Sequence, residues 1–590
     1  MTDETTDTAE AEDGNDQAKG HAAIIEEAVK RRRYVLEHDS HNFKEQREDI
    51  AFTYKPGAQW GESDVASRTA DNAPVLEFNQ LPQFVNQVVN DQRQRRPGIR
   101  VHPAGGRSTE ELAKMRQGVI RGIEAESRAE AIYDSGFRDA VVGGRGYWRV
   151  VSEYVDGRSF DQVLRLKMIS DPLTVKFDPD YSEPDGSDAM WCFVDERVTK
   201  EEFSRRWPKA KPINFDTDRD ADWFDGDHVI VSDYLRRTVK VRAIVRMSDG
   251  AVGYEDEMPK PPAGVTVVAR REKTEYRVEW YKLAGGQQIV ETYEWPGDLL
   301  PVVMCMGDNL MIDGKRVYQG LIRRARDAQR MYNYAQSAVA ERVALAPKAP
   351  YVMAEGQDDG YEDMWRDANK RRFSRLIYKP KTVDGQLAPP PQRQQPIQAE
   401  QALLALAEQC KQDLRATIGM YENSLGLHGQ ETSGRAILAR EQQGDNATFH
   451  FPDNLGRAIG LTGRIVNGVI KFYYDTQRQI ASIADDGTKS LVTVNQPIPG
   501  VIAGSAGELQ NSLLDGEYTV VVESGPSYAT KRIEAADSLM QFVQAFPPAA
   551  QVAGDLIAKM MDWPDADVLA RRMKFLLPPA IQQSERAEEG

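Results

Sequence analysis

Apolar residues recur along this chain at two spacings, and the switch between them divides it. From His21 to about Glu48, Ile24, Ile25, Val29, Tyr34, Val35 and Leu36 lie on one broad stripe among charges, which predicts an amphipathic helix. A loop rich in Gly, Ser and Asp follows over 55–74. Leu81, Val85, Val88, Val89 and Gln92 then keep the i, i+4, i+7, i+8 spacing of one buried helix face. Pro82 suits the first turn, where its missing N–H is no loss, and Pro97-Gly98 stop the helix. Arg93, Arg95 and Arg96 fall in its last turn, with Arg100 just beyond. Ser108-Thr109-Glu110-Glu111 has capping-box spacing and opens a second helix that carries Leu112, Met115, Val119, Ile120 and Ile123 and runs through Phe137. Over 141–155 the period drops to two after a glycine turn, so a strand follows. Residues 160–300 read as short strands and turns, broken by a short helix in 200–212 that Pro208 ends.

The second half is more helical. A helix after Gly320 is stopped by Pro347, a proline-rich connector spans 388–400, and another helix runs from about Gln398 to Tyr421. The longest helical segment is 432–479, with Thr432 or Ser433 as its cap and Pro452 marking a kink or a junction of two helices. Leu455, Ile459, Ile465, Val466, Val469, Ile470 and Tyr473 form its stripe, and the other side is small or polar. LVTVNQPI and EYTVVVESG, within 481–525, read as strands; helix returns afterwards and ends at Pro547-Pro548, leaving a tail with one or two short helices. The expected fold class is α+β, mainly helical. A helix, a small β insert and a returning helix suggest a projection that buries little within its own chain.

Composition narrows the function. A chain of 590 residues implies two to four domains. Residues 1–20 carry seven acids and one lysine without a large apolar residue after Met1, and such a segment is expected to be disordered. The net charge is −16, which excludes a general DNA coat, since phosphate neutralisation needs clustered Lys and Arg. Cys192, Cys305 and Cys410 are far apart in sequence, so neither a zinc module nor a disulfide framework is expected, and a reducing cytosol suits them. No apolar run approaches the length of a membrane span.

Catalytic motifs are missing. There is no Walker sequence, G-x-G-x-x-G, G-x-S-x-G or H-E-x-x-H, and the GGRG of 143–146 is not a phosphate loop because no Lys-Ser pair follows. His38 and His41 lie three apart without a third ligand. Asp178, Asp180, Glu183, Asp185 and Asp188 crowd one turn, but their order is not that of a calcium loop, and Asp and Pro make turns on their own account. No cofactor, metal or enzymatic activity is expected. The arginines that end the 81–96 helix are explained in large part by the helix dipole, which favours cations there, with DNA contact as the alternative.

Four blocks, NQLPQFVNQVVNDQRQRRPGIRV, RDAQRMYNYAQSAVAERVALAPKAPYV, TSGRAILAREQQGDNATFHFPDNLGRA and ESGPSYATKRIEAADSLMQF, resemble in sequence and in order the portal proteins of tailed bacteriophages, in the branch from short-tailed phages. The resemblance covers roughly residues 40–545 and implies a ring, a dodecamer as a rule, at one vertex of the capsid. It implies a wing and body over 21–430, a first stem helix in 431–480, a clip over 481–527, a second stem helix over 528–545, and a tunnel-loop turn with a short crown over 546–590. A long C-terminal helical barrel, present in some members, is expected to be absent or short here.

The role implied is to nucleate head assembly, dock the packaging motor and pass double-stranded DNA in and out, with the ATPase work left to the terminase. An acidic wall suits a channel through which a polyanion slides, because strong phosphate pairing would hold it. Implied partners are further copies of the chain, the terminase large subunit, a head-completion or tail adaptor protein, and the major capsid and scaffolding proteins. No membrane is involved; the expected location is the virion vertex, with the host cytoplasm during assembly. Arg93, Arg95 and Arg96 become candidates for a neighbouring subunit's acids, ahead of a solvated helix end and of DNA. Gln544, Phe546 and Pro547 are candidates for the tunnel, and Asn495, Gln496, Glu517 and Tyr518 for docking at the clip. The competing readings are a capsid or scaffold protein and a metal-dependent phage nuclease using the 178–188 turn.

Overall fold

The computed structural model describes residues 5–94, 96–105, 108–210, 223–225, 227–256, 258, 265–345, 350–368, 370–371, 373–383, 385–393, 401–420, 448–484, 489–497, 509–514, 516–523, 539–560 and 566–578. It is an α+β protein with two β layers.

The first layer surrounds one helix, His450–Tyr473. Its predicted stripe is buried: Leu455, Ile459, Ile465, Val466, Val469 and Ile470 all face the core. On one side lies a three-stranded antiparallel sheet with Arg145–Tyr154 between Val302–Met306 and Gln162–Met168. Trp148, fully buried, donates its indole N–H to Thr462 Oγ1 at 2.9 Å and fixes the helix on the sheet. On the other side the small residues find their use. A Cβ at Gly463 would stand 2.8 Å from Val520 and one at Gly460 3.1 Å from Val522, so these glycines let a second ladder close on the helix. That ladder is Gly98–Gly105 paired antiparallel with Glu517–Glu523.

Local signals place the surrounding helices. Leu81–Gln94 buries Leu81, Val85, Val88 and Val89. Thr109 caps Glu110–Ser127 by accepting from the Leu112 amide, one residue after the Ser108 that the capping-box spacing to Glu111 points to. Arg128 at φ 54 turns the chain into Ala129–Gly143, which Gly144 ends at φ 92. The helix Leu321–Leu345 carries a polar row at every fourth position. Gln329, Asn333 and Ser337 accept from the amides of Gln80, Phe78 and Leu76, so the helix holds an extended segment as a neighbouring strand would.

The second layer is a seven-stranded antiparallel sheet, with path Gln288–Trp295, Val267–Ala284, His228–Met247, Trp191–Thr199 and Val175–Phe177. Its two central strands hold 20 and 18 residues, longer than the short strands predicted for 160–300. The helix Thr5–His38 packs Ala28 and Val35 against Trp191, Phe193, Tyr234, Tyr281 and Leu283. Arg32 anchors it: its guanidinium donates to Asp195 at 2.7 and 3.0 Å and lies 4.2 Å from the Trp223 ring centre.

Three expectations need correction. Residues 5–20, read as disordered, continue the helix backwards, because once a helix is nucleated each added residue contributes a hydrogen bond. The 55–74 loop contains a helix, Glu62–Ala70. The described strands of the 481–527 stretch lie against the body instead of forming a projection. Arg478–Ile483 pairs with Lys489–Val494 and lies on Glu110–Ser127, where a Cβ at Gly122 would meet the Ala481 carbonyl at 2.4 Å, while Glu517–Glu523 joins the ladder described above.

Candidate functional site

The helix-end arginines have partners in their own chain. Arg93 Nε donates to Asp134 at 2.8 Å, and Arg96 pairs with Glu130 and, at 3.8 Å, with Asp134, both acids standing on Ala129–Gly143. Arg100 reaches Glu523 across the ladder at 3.1 Å. Arg95 lies outside the described residues. The cluster is thus a clamp between two helices and a ladder, where a neighbouring subunit's acids were the first expectation.

The four docking candidates divide. Asn495 is buried at φ 51; its amide donates to the Tyr474 carbonyl at 2.7 Å and its oxygen accepts from the Leu513 amide at 2.9 Å. It ties the end of the central helix to the strands and presents nothing to a partner. Tyr518 packs under the Arg116 guanidinium at 4.3 Å. Gln496 and Glu517 are exposed. Gln544, Phe546 and Pro547 are also exposed, and the Phe546 ring lies tilted beside that of Phe542, ring centres 6.3 Å apart. Residues 421–447 and 524–538, which hold the start of the first expected stem segment and most of the second, lie outside the described residues.

The acidic turn is explained by turn chemistry. Asp178 accepts from the amides of Asp180 and Met190, Asp188 from those of Ser182 and Glu183, and Asp185 from that of Ser187 while pairing with Arg464. Carboxylates committed to amides in this way shape a loop. Among the described residues no group of three or more His, Cys, Asp or Glu is placed to hold a metal ion, and no helix is long and apolar enough to cross a membrane.

Buried charges fasten the elements. Asp195 accepts from Arg32 and Ser232 and lies 2.9 Å from Lys176; burial opposes its charge, but the two cations outweigh it and hold the carboxyl far below its ordinary range. Arg326 binds Glu45 at 3.0 Å, Glu48 at 3.1 Å and Asp49 at 2.6 Å, tying Leu321–Leu345 to Ser40–Tyr54. Two acids go the other way. Burial pushes Glu124, which accepts from Tyr133 Oη at 2.9 Å, up to about 7. Asp139 also rises to about 7, through burial and the nearby Asp171.

Two projections carry exposed apolar surface that the sequence pattern did not single out. The helices Leu321–Leu345 and Gln401–Ile418 pack along each other and bracket a small insert, 350–393. The insert holds two-residue strand pairs and the helix Glu362–Arg366; Trp365 donates to the Ile377 carbonyl at 2.8 Å, yet Val352, Val383 and Leu387 stand exposed. The second projection is the outer half of the two long strands. The chemistry of both is that of packing surfaces, as in a subunit that is completed by assembly.

These surfaces suit a protein that packs against others. The chain belongs to the Phage P22-like portal protein family, whose family model matches residues 29–590. It is 25% identical over 574 residues to a "Portal protein" of Acyrthosiphon pisum secondary endosymbiont phage 1, a match that covers 92% of this chain and 79% of the relative. Its function is that of a phage portal, in genome packaging.

Proposed function

We infer that this chain is one subunit of a closed, dodecameric ring at a capsid vertex, and that the ring nucleates head assembly, docks the terminase and passes duplex DNA in both directions. The observation that carries this reading is the family match over residues 29–590. The charge of −16 supports a lining that lets DNA slide. Adaptor, major capsid and scaffolding proteins are the further partners, and the ring assembles in the host cytoplasm before entering the virion.

Within that reading the stem and clip are re-assigned. The pair Leu321–Leu345 and Gln401–Ile418, with the 350–393 insert between them, supplies the helix–insert–helix layout first sought in 431–545. What supports this is burial: the insert leaves Val352, Val383 and Leu387 exposed, whereas 478–483, 489–494 and 517–523 form ladders on the body. Gln544, Phe546 and Pro547 remain the candidates for a surface facing the bore.

The experiment is electron microscopy of the purified chain together with a packaging assay. Annular particles are expected, and replacing 350–393 by a short Gly-Ser linker is expected to leave a folded subunit that no longer binds terminase. Packaging at normal yield by that deletion would refute the assignment of the insert, and a chain that forms no annular oligomer would refute the ring.

A further inference from the structure

The strands His228–Met247 and Val267–Ala284 leave the seven-stranded sheet together. Trp191–Thr199 stops pairing at Arg236 and Gln288–Trp295 stops at Val278, but the ladder between the two long strands continues from Arg237 opposite Val278 to Met247 opposite Val267. About ten residue pairs therefore run beyond the sheet, roughly 33 Å at ~3.3 Å per residue. Val252–Tyr254 covers part of one edge, at 244–246. Among the described residues no strand pairs with the outer edge of 267–277. A two-stranded ribbon is marginal alone in water, and an unpaired edge is a template for another chain.

We propose that the outer half of this ribbon, residues 237–247 and 267–277, is a contact between subunits: the open edge of 267–277 and the apolar row begun by Val239 and Val241 seat on a second copy of the chain. The inference rests on the ring reading above and adds the surface that closes the ring. Alternation puts Val239, Val241 and Ala243 on one face, opposite Tyr276, Thr274 and Glu272. Val239 and Val241 are 53% and 57% exposed, unusual for paired valines in a ladder. Charge favours a second copy as occupant. Residues 237–277 hold nine basic and six acidic side chains, net +3, in a chain of net −16, so the ribbon is opposite in sign to the rest of each copy. Nucleic acid fits less well. Arg242 is taken by Asp256 and Glu275, Arg270 by Glu255 and Lys273 by Glu275, so these cations are already committed to carboxylates.

The test uses the full chain. Hydrogen exchange of the 267–277 amides is compared between assembled rings and unassembled subunits, and ring yield is measured by native mass spectrometry for the wild type and for Val239→Asp with Val241→Asp. The expected result is at least tenfold slower exchange of the outward-facing amides on assembly. The variant is expected to keep its circular dichroism and melting midpoint while its ring fraction falls at least tenfold. Equal exchange in ring and subunit overturns the proposal whatever the variant does, and so does a folded variant that assembles at wild-type yield. Protection by duplex DNA without protection on assembly overturns it in favour of a nucleic-acid surface. A wild-type chain that never forms rings refutes the ring reading itself, and this contact with it.

Discussion

Arg32→Ala is expected to detach the N-terminal helix from the seven-stranded sheet. Arg32 and Asp195 are both almost fully buried, at 3% and 5% side-chain exposure. The guanidinium makes two hydrogen bonds to the carboxylate and lies over Trp223. Truncating one member of a buried pair costs about 3–5 kcal/mol, because the remaining charge stays desolvated. Here Lys176 and Ser232 still hold Asp195, which points to the lower end, and the lost cation–π contact adds about 0.5–2 kcal/mol. The net expectation is about 3.5–5 kcal/mol. Urea unfolding followed by tryptophan fluorescence reads the loss, and limited proteolysis reads release of the helix. Because the Asp195 carboxyl titrates lower in the folded than in the unfolded chain, its contribution is present above its ordinary value near 3.9 and disappears as pH falls towards the folded value. Arg32→Ala should therefore flatten the acid limb of the stability profile. A cost below about 1 kcal/mol with an unchanged acid limb would show that the sheet, not the ion pair, holds the helix.

Glu124 has the opposite sign: its folded value of about 7 exceeds the unfolded one, so its contribution is full below about pH 4 and is lost as pH rises to about 7. Glu124→Gln should remove up to about 3 kcal/mol of that pH dependence, read from melting curves at pH 5 and 8, and identical slopes in variant and wild type would contradict it. Asn495→Ala should cost about 2–4 kcal/mol in urea unfolding, through strain at positive φ and two lost hydrogen bonds, while Asn495→Gly relieves the strain and recovers part of it. Arg93→Ala with Arg96→Ala should lower the melting midpoint by only a few degrees and leave ring yield unchanged, since Asp134 and Glu130 belong to the same chain; loss of rings in a folded variant would return these arginines to the subunit interface.

Features set by neighbours in sequence were legible. The buried face of 81–94, the Thr109 cap and the short helix before Pro208 follow from spacing and turn chemistry within one or two turns. The central helix was half legible: its stripe was evident, but the glycines opposite acquire meaning only beside Val520 and Val522. EYTVVVE read correctly as a strand and wrongly as part of a projection, because its partner lies some four hundred residues earlier and periodicity carries no record of distance. Asn495 is a docking candidate in the sequence and a buried tie in the fold, because the groups it bonds, Tyr474 and Leu513, lie some twenty residues to either side. The arginine cluster resembled a binding surface because the acids that neutralise it stand on the next helix but one.

The ladder between Gly98–Gly105 and Glu517–Glu523 also sets a schedule. At ribosomal rates of about 5–20 residues per second, the strand that completes it emerges roughly 20–80 seconds after its mate. Throughout that interval the nascent polypeptide carries an open edge, and once residues 450–473 have emerged it also carries an uncovered glycine face on its central helix. Any message truncated upstream of that last strand yields a product that cannot be finished, and such fragments should be cleared by proteolysis before they reach a growing capsid.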